Sequence, residues 1–220
     1  MSGESPVDRR RARRDPDRTA RARIRDAAIE HFATRGFAAA KPKDIAADAG
    51  VSAPLVFGSK EGLRIACDQY VADLVAQQKT DAMEAGTDLD PLQAVREAYG
   101  GTPVMRYLAT TIADGSPRVD DLIDELIEDS QAYLAHGVEN GVLAPAENLR
   151  ERAIVLFLWQ LGSLVLHRQA ERLLGIDLLD NRDGSALEWV RINTEILAEG
   201  VIRKETYEKW EAMRTDGSER

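Results

Sequence analysis

Between Asp44 and Lys60 the chain reads D-I-A-A-D-A-G-V-S-A-P-L-V-F-G-S-K, with Ala46, Gly50 and Val56 at the spacing of a helix-turn-helix. Each of the three has a steric reason. Ala46 is small because the following helix crosses over it. Gly50 supplies a positive φ at the turn without a Cβ penalty. Val56 points back from the second helix and closes a small core. Ser52 suits the N-cap of that second helix, and Pro54 falls in its first turn, where a missing N–H is harmless. The plainer alternative is an Ala-rich helical hairpin with a chance glycine, and the flanking sequence argues against it.

On the N-terminal side, Ile24, Ala28, Ile29 and Phe32 form an apolar stripe at helical spacing, which predicts a helix from Thr19 or Arg21 to Arg35. Gly36 is its expected stop and Phe37 the hydrophobic contact that accompanies such a cap. His31 lies beside the stripe with no second ligand near it and reads as structural or solvated. The next helix is expected from Pro42 to Gly50, with Pro in the first turn. Lys41 and Lys43 sit at its N-terminus, where their charge opposes the helix dipole. A docked phosphate would relieve that conflict and use the free N–H groups, which makes Lys43 a candidate DNA contact.

Charge is unevenly spread over the 220 residues. Up to residue 66 there are fourteen Lys/Arg against nine Asp/Glu; from 67 onward there are fifteen against twenty-nine, giving the overall net charge of -9. A basic head on an acidic body suits a protein that presents one end to a polyanion. Residues 1–20, rich in Arg, Pro and Asp, read as a disordered basic arm able to track phosphates or enter a minor groove. The single cysteine, Cys67, excludes an internal disulfide and fits a reducing cytosol. The charged N-terminus lacks the apolar core of a signal peptide. The longest apolar run, Ala153 to Leu166, is interrupted by Gln160 and falls short of the ~20 residues that span a bilayer. A soluble, cytoplasmic protein with no membrane partner is expected.

Scarce aromatics and abundant Ala, Leu, Arg and Glu favour an all-α fold. Ser59 is a plausible N-cap, with Glu61 in the first turn, for a helix running to about Ala85. Asp90-Pro91, Thr102-Pro103 and Ser116-Pro117 pair a cap residue with proline and predict helices over 91–99, 103–113 and 117–139. Further helices are expected over 147–174, 184–200 and 202–214. The stretch from Arg152 to Leu174 is apolar nearly all round over 153–166, which predicts cover on most sides, a second copy of the chain being the economical source. A ligand cavity, if built among 91–174, has Met105, Tyr107, Leu108, Tyr133, Phe157, Trp159, Gln160 and His167 as candidate liners, although each residue type at such a position reads more readily as plain core. No metal is expected: His136 and His167 lack paired spacing, and there is one cysteine. No cofactor is expected either.

Residues 23–66, from R-I-R-D-A-A-I-E-H-F-A-T-R-G-F through D-I-A-A-D-A-G-V-S to S-K-E-G-L, resemble the DNA-binding domain of the tetracycline-repressor (TetR) family. The resemblance implies a three-helix helix-turn-helix domain at 21–66 and a helical effector-binding and dimerisation domain at 67–215. It implies a homodimer joined through the regions around 151–173 and 185–200, which sets two recognition helices about one DNA turn (~34 Å) apart. It implies release from a double-stranded DNA operator when a small-molecule effector binds. By carry-over, Lys60 holds the phosphate backbone.

The sequence departs from the family pattern at one place. Members carry about three more residues between the recognition helix and the Ser-Lys-Glu start of the next helix, an aromatic and a His or Tyr among them. Here Val56-Phe57 runs straight into Gly58-Ser59-Lys60. Three fewer residues shorten a helix by about 4.5 Å and turn the next segment by roughly 60°. Two readings compete. In one, operator binding is weakened or abolished on an intact scaffold. In the other, the segment rearranges and Ser52, Ala53, Pro54, Leu55 and Phe57 still meet DNA, Leu55 with only apolar contact to offer and Phe57 with no hydroxyl. A helical enzyme is a third reading without support: the sequence has no glycine-rich phosphate loop, nucleophile elbow or His-Glu metal helix.

Overall fold

The computed structural model describes residues 16–51, 57–88, 103–179 and 184–218. Every regular element among them is helical: α1 (Pro16–Ala39), α2 (Pro42–Asp48), α3 (Lys60–Ala85), α4 (Val104–Asp114), α5 (Pro117–Glu139), α6 (Leu149–Val165), α7 (His167–Leu174), α8 (Ala186–Glu199) and α9 (Lys204–Ser218), with a 3-10 turn at Gly86–Asp88. The helix expected over 91–99 and the recognition residues Ser52, Ala53, Pro54, Leu55 and Val56 lie outside the described residues.

Local chemistry explains most boundaries. Ser59 is extended (φ -150, ψ 169) and its side chain accepts from the Gly62 N–H at 2.9 Å, so α3 starts where a cap satisfies an orphan donor. Pro117 opens α5 from its first turn. Asn148, whose side chain accepts from the Glu151 N–H, caps α6. Two expectations need correction. α1 begins at Pro16, inside the stretch expected to lack structure, while its regular helix ends at Arg35 as expected. Gly36 breaks it at φ 74, ψ 162, after which the chain re-forms one turn, closed by Ala40 N–H on the Gly36 carbonyl at 3.2 Å. The helix expected over 147–174 is two helices, α6 and α7, broken at Leu166. Side chains there bond back to carbonyls of the preceding turn, Ser163 Oγ to Gln160 and His167 Nδ1 to Leu164, and compete with the helix ladder.

One continuous core runs through α1, α2, α3, α4, α5 and α6. α1 lies on α4, with the Phe32 and Tyr107 rings 6.5 Å apart and Phe37 folded against Phe32 at 5.4 Å. α3 contributes Leu63, Cys67, Val71 and Ala72. Burial and the adjacent Asp68 push the Cys67 thiol well above its ordinary pKa, which fits an inert packing cysteine. His31 is also structural: its buried ring meets Asp48 at 2.6 Å and ties α1 to the last turn of α2.

Gly62 has a packing reason. A Cβ there would drive into the carbonyl oxygen of Phe57, which also accepts the Ser59 N–H. Gly62→Ala is therefore expected to destabilise the fold by about 1–3 kcal/mol despite alanine's better helix propensity. A thermal melt checks this; an unchanged or raised Tm would contradict the placement of the Phe57 carbonyl.

Candidate nucleic-acid interface

α2 and the turn after it build the first half of a helix-turn-helix. Ala46 is buried, Gly50 takes φ 64, and Val51 N–H returns to the Ala46 carbonyl at 3.0 Å, turning the chain away from the α2 axis. The positive φ is the role that the spacing assigns to Gly50; the helix expected to cross Ala46 lies outside the described residues. The chain re-emerges at Phe57, which is half-buried against the core with the Arg21 guanidinium over its ring at 5.6 Å. Gly58 then adopts φ 74, a left-handed conformation that ends any helix arriving from residue 56 before Ser59 starts α3.

The cations gather at one corner. Lys41 is the N-cap residue of α2 and gives it no side-chain cap; Pro42 has no N–H, the Asp44 N–H donates to the Lys41 carbonyl at 3.0 Å, and Lys43 is exposed in the first turn. Lys60, from the start of α3, donates to the Ala38 carbonyl at 3.2 Å and lies over the Phe37 ring at 4.5 Å. The Gly36 break thus creates the platform that holds Lys60 near the N-terminus of α2. Lys43 and Lys60, distant in sequence, thus stand on either side of residues 37–42, Lys60 against Phe37 and Ala38 and Lys43 in the first turn of α2.

Behind this corner is a polar tie that sequence reasoning missed. Arg64, 4% exposed, donates from Nη2 to Asp114 Oδ2 and Ser116 Oγ, both at 3.1 Å, and stacks on Phe37 at 4.6 Å. One turn on, the Tyr107 hydroxyl donates to the buried Asp68 carboxylate. Burial raises the pKa of Asp68, while the Tyr107 hydrogen bond and nearby Arg64 and Arg118 pull it back; Tyr107 is itself raised, by burial first. Thr110 Oγ1 donates to the Ala33 carbonyl at 3.0 Å, and Arg118 reaches Glu61 at 3.4 Å. A small cleft lined by Phe32, Phe37, Arg64, Tyr107, Thr110 and Asp114 lies among these groups. The α4–α5 corner is therefore fastened to α1 and α3 directly behind the lysine corner.

The candidate effector-lining residues are dispersed. Tyr107 and Leu108 are buried on α4, Met105 packs partly buried beside them, and Phe157 is buried on α6. Tyr133 is half-buried on α5, its hydroxyl raised in pKa mainly by burial, and His167 is half-buried at the start of α7. Gln160 is exposed and Trp159 is 60% exposed, on the open side of α6 with Val155 and Leu158. Among the described residues no cluster of three or more His, Cys, Asp or Glu is arranged to hold a metal ion, and no helix is long and apolar enough to cross a membrane.

Known proteins share this architecture. Residues 24–67 match the family described as bacterial regulatory proteins, tetR family, and residues 97–203 match the tetracyclin repressor-like C-terminal domain. The HTH-type transcriptional regulatory protein RaaS of Mycobacterium tuberculosis is 38% identical over 159 residues, covering 71% of this chain and 74% of that protein. A TetR transcriptional regulator from Chloroflexus aurantiacus superposes with a TM-score of 0.53 at 21% identity, over 82% of this chain and 96% of that one. A Clostridium perfringens regulator does so with a TM-score of 0.52 at 21% identity, over 83% and 100%. With both its head and its helical body matched, this chain belongs to the TetR family of bacterial transcriptional regulators.

Proposed function

We propose that this protein is a repressor that holds operator DNA through its lysine corner and lets go when a small molecule enters its helical body. One observation supports it most: Gly50 at φ 64 turns the chain after α2 while Lys43 and Lys60 stand on either side of residues 37–42. Lys43 and Lys60 contact phosphates, and Ser52, Ala53, Pro54 and Leu55 supply the contacts to the bases. The effector lies in the body among α4, α5 and α6. The Arg64–Asp114–Ser116 and Tyr107–Asp68 ties carry its effect to the start of α3, because any shift of the α4–α5 corner must move or break them. The protein acts in the cytoplasm, as a homodimer. Within one chain α6 leaves Val155, Leu158, Trp159, Val165 and Leu166 exposed, an apolar surface that a second copy would cover.

A second reading has its own support. Between Val51 and the inward-packed Phe57 only five residues remain for base readout, and Gly58 prevents a helix from running on into α3. Phosphate contacts then supply most of the affinity, and discrimination between sequences is weak. Lys43→Ala tests the phosphate role: the slope of log affinity against log salt is expected to fall by about one for each lysine contact removed. An unchanged slope would take Lys43 off the contact surface.

A further inference from the structure

We infer that Arg21 and Arg23 are positioning residues, a brace that from two sides of the start of α1 sets the recognition segment between Val51 and Phe57. This rests on the reading that Ser52, Ala53, Pro54 and Leu55 meet the bases. Two residues apart on a helix, the arginines leave the axis roughly 200° from one another and do not face each other. Ile24 and Ala28, both at 0% exposure, pin the side of α1 that lies between them.

Each arginine reaches a different end of the segment. The Arg23 guanidinium covers Gly50 on the side where a side chain would stand, 3.7 Å from the position that a Cβ would take. α2 has no basic residue in its own last turn, and Arg23 brings a cation to the turn where the helix carbonyls run out of partners. The Arg21 guanidinium lies over the Phe57 ring at 5.6 Å, where the chain rejoins the core. The chain therefore departs beside one arginine and returns beside the other, with five residues between. Base readout needs side chains held to within about 0.5 Å by supporting neighbours. Gly50 at φ 64 and Gly58 at φ 74 bound this segment with backbone turns, so it borrows no stiffness from a helix running on into α3. The anchored start of α1 supplies that stiffness instead. Arg25 differs from the pair: over the Tyr70 ring at 3.4 Å and bonded to Asp26 at 2.7 Å, it stitches α1 to α3 and is the natural control.

Fluorescence anisotropy of the full-length protein on a duplex recovered by selection and on a scrambled one, across a salt series, tests the brace. Arg21→Ala with Arg23→Ala is expected to lose about tenfold on the selected duplex, the scale of one base contact, and under about twofold on the scrambled one, at an unchanged salt slope. Arg21→Lys with Arg23→Lys is expected to recover most of the loss, because a cation still sits over the ring and beside the turn. Arg25→Ala is expected to keep the parent's discrimination. Hydrogen exchange at the amides of 51–58 is expected to speed up by about tenfold in the double alanine variant while α4 and α5 keep the parent rates. Equal losses on both duplexes, with the slope lowered by about one per arginine, would make these residues phosphate contacts and overturn the brace. The same loss of discrimination in Arg25→Ala would reduce the effect to a loosened α1 and overturn it too. A parent that binds both duplexes alike while exchange still speeds up would refute base readout by the segment and leave the brace standing. Unchanged exchange at 51–58 would overturn the brace whatever the duplexes show.

Discussion

Arg64→Ala is expected to lower the free energy of unfolding by about 2–3 kcal/mol and to abolish the response of DNA affinity to an effector. The guanidinium is nearly sealed from solvent between Phe37, Asp114 and Ser116. Two charge-assisted hydrogen bonds and a cation–π stack go at once, and a void replaces them. Asp114 is 38% exposed, so the orphaned carboxylate is re-solvated and its share is discounted accordingly. Urea denaturation reads the stability. A loss under about 0.5 kcal/mol, the range of an ordinary surface substitution, would mean that the tie between α3 and the α4–α5 corner is ornamental. Arg64→Lys is expected to recover only part of the loss, because a point charge cannot serve Asp114, Ser116 and the Phe37 ring together.

The second large effect is a gain. Inserting Tyr-Ala-His between Val56 and Phe57 lengthens the segment by the three residues by which the sequence reads as shorter than the family pattern. It is expected to tighten binding to a preferred duplex at least tenfold, which is about 1.4 kcal/mol. One added base contact of about 1–3 kcal/mol is enough to produce it. The gain should appear in sequence discrimination more than in the salt slope, because the insertion adds base-facing surface and leaves Lys43 and Lys60 where they are. Fluorescence anisotropy with matched and scrambled duplexes measures both. Equal affinities for the original and the lengthened chain would show that the five residues after Val51 already suffice.

Much of this was legible in the sequence because it is written in local chemistry. Ser59 and Pro117 mark helix starts that the structure reproduces, and Gly50 marks the turn, since a cap, a ring and a missing Cβ each act within a few residues. Gly36 was legible as a break, but not the extra turn after it, which holds Phe37 under Lys60 and Arg64. The α6–α7 break was hidden because Ser163 and His167 act through bonds to carbonyls, which no apolar periodicity records. Arg64 pairs with groups fifty and fifty-two residues away, and Tyr107 with one thirty-nine away. Tyr107 therefore read only as a possible cavity liner, although its hydroxyl is engaged with Asp68. A run that is apolar all round gives no face, so Trp159 could not be told from Phe157 until α6 was seen with one open side.

The corner formed by α2 and the start of α3 is expected to lie against duplex DNA. Selection of random duplexes by the full-length protein at low salt, followed by anisotropy of the recovered sequences with the parent chain and a Lys43→Ala, Lys60→Ala variant, tests it most directly. The expected result is duplexes with two-fold related half-sites about one helical turn apart, bound with a steep salt dependence that the double variant flattens. Binding to no duplex at micromolar protein, or binding that the double variant leaves untouched, would contradict it.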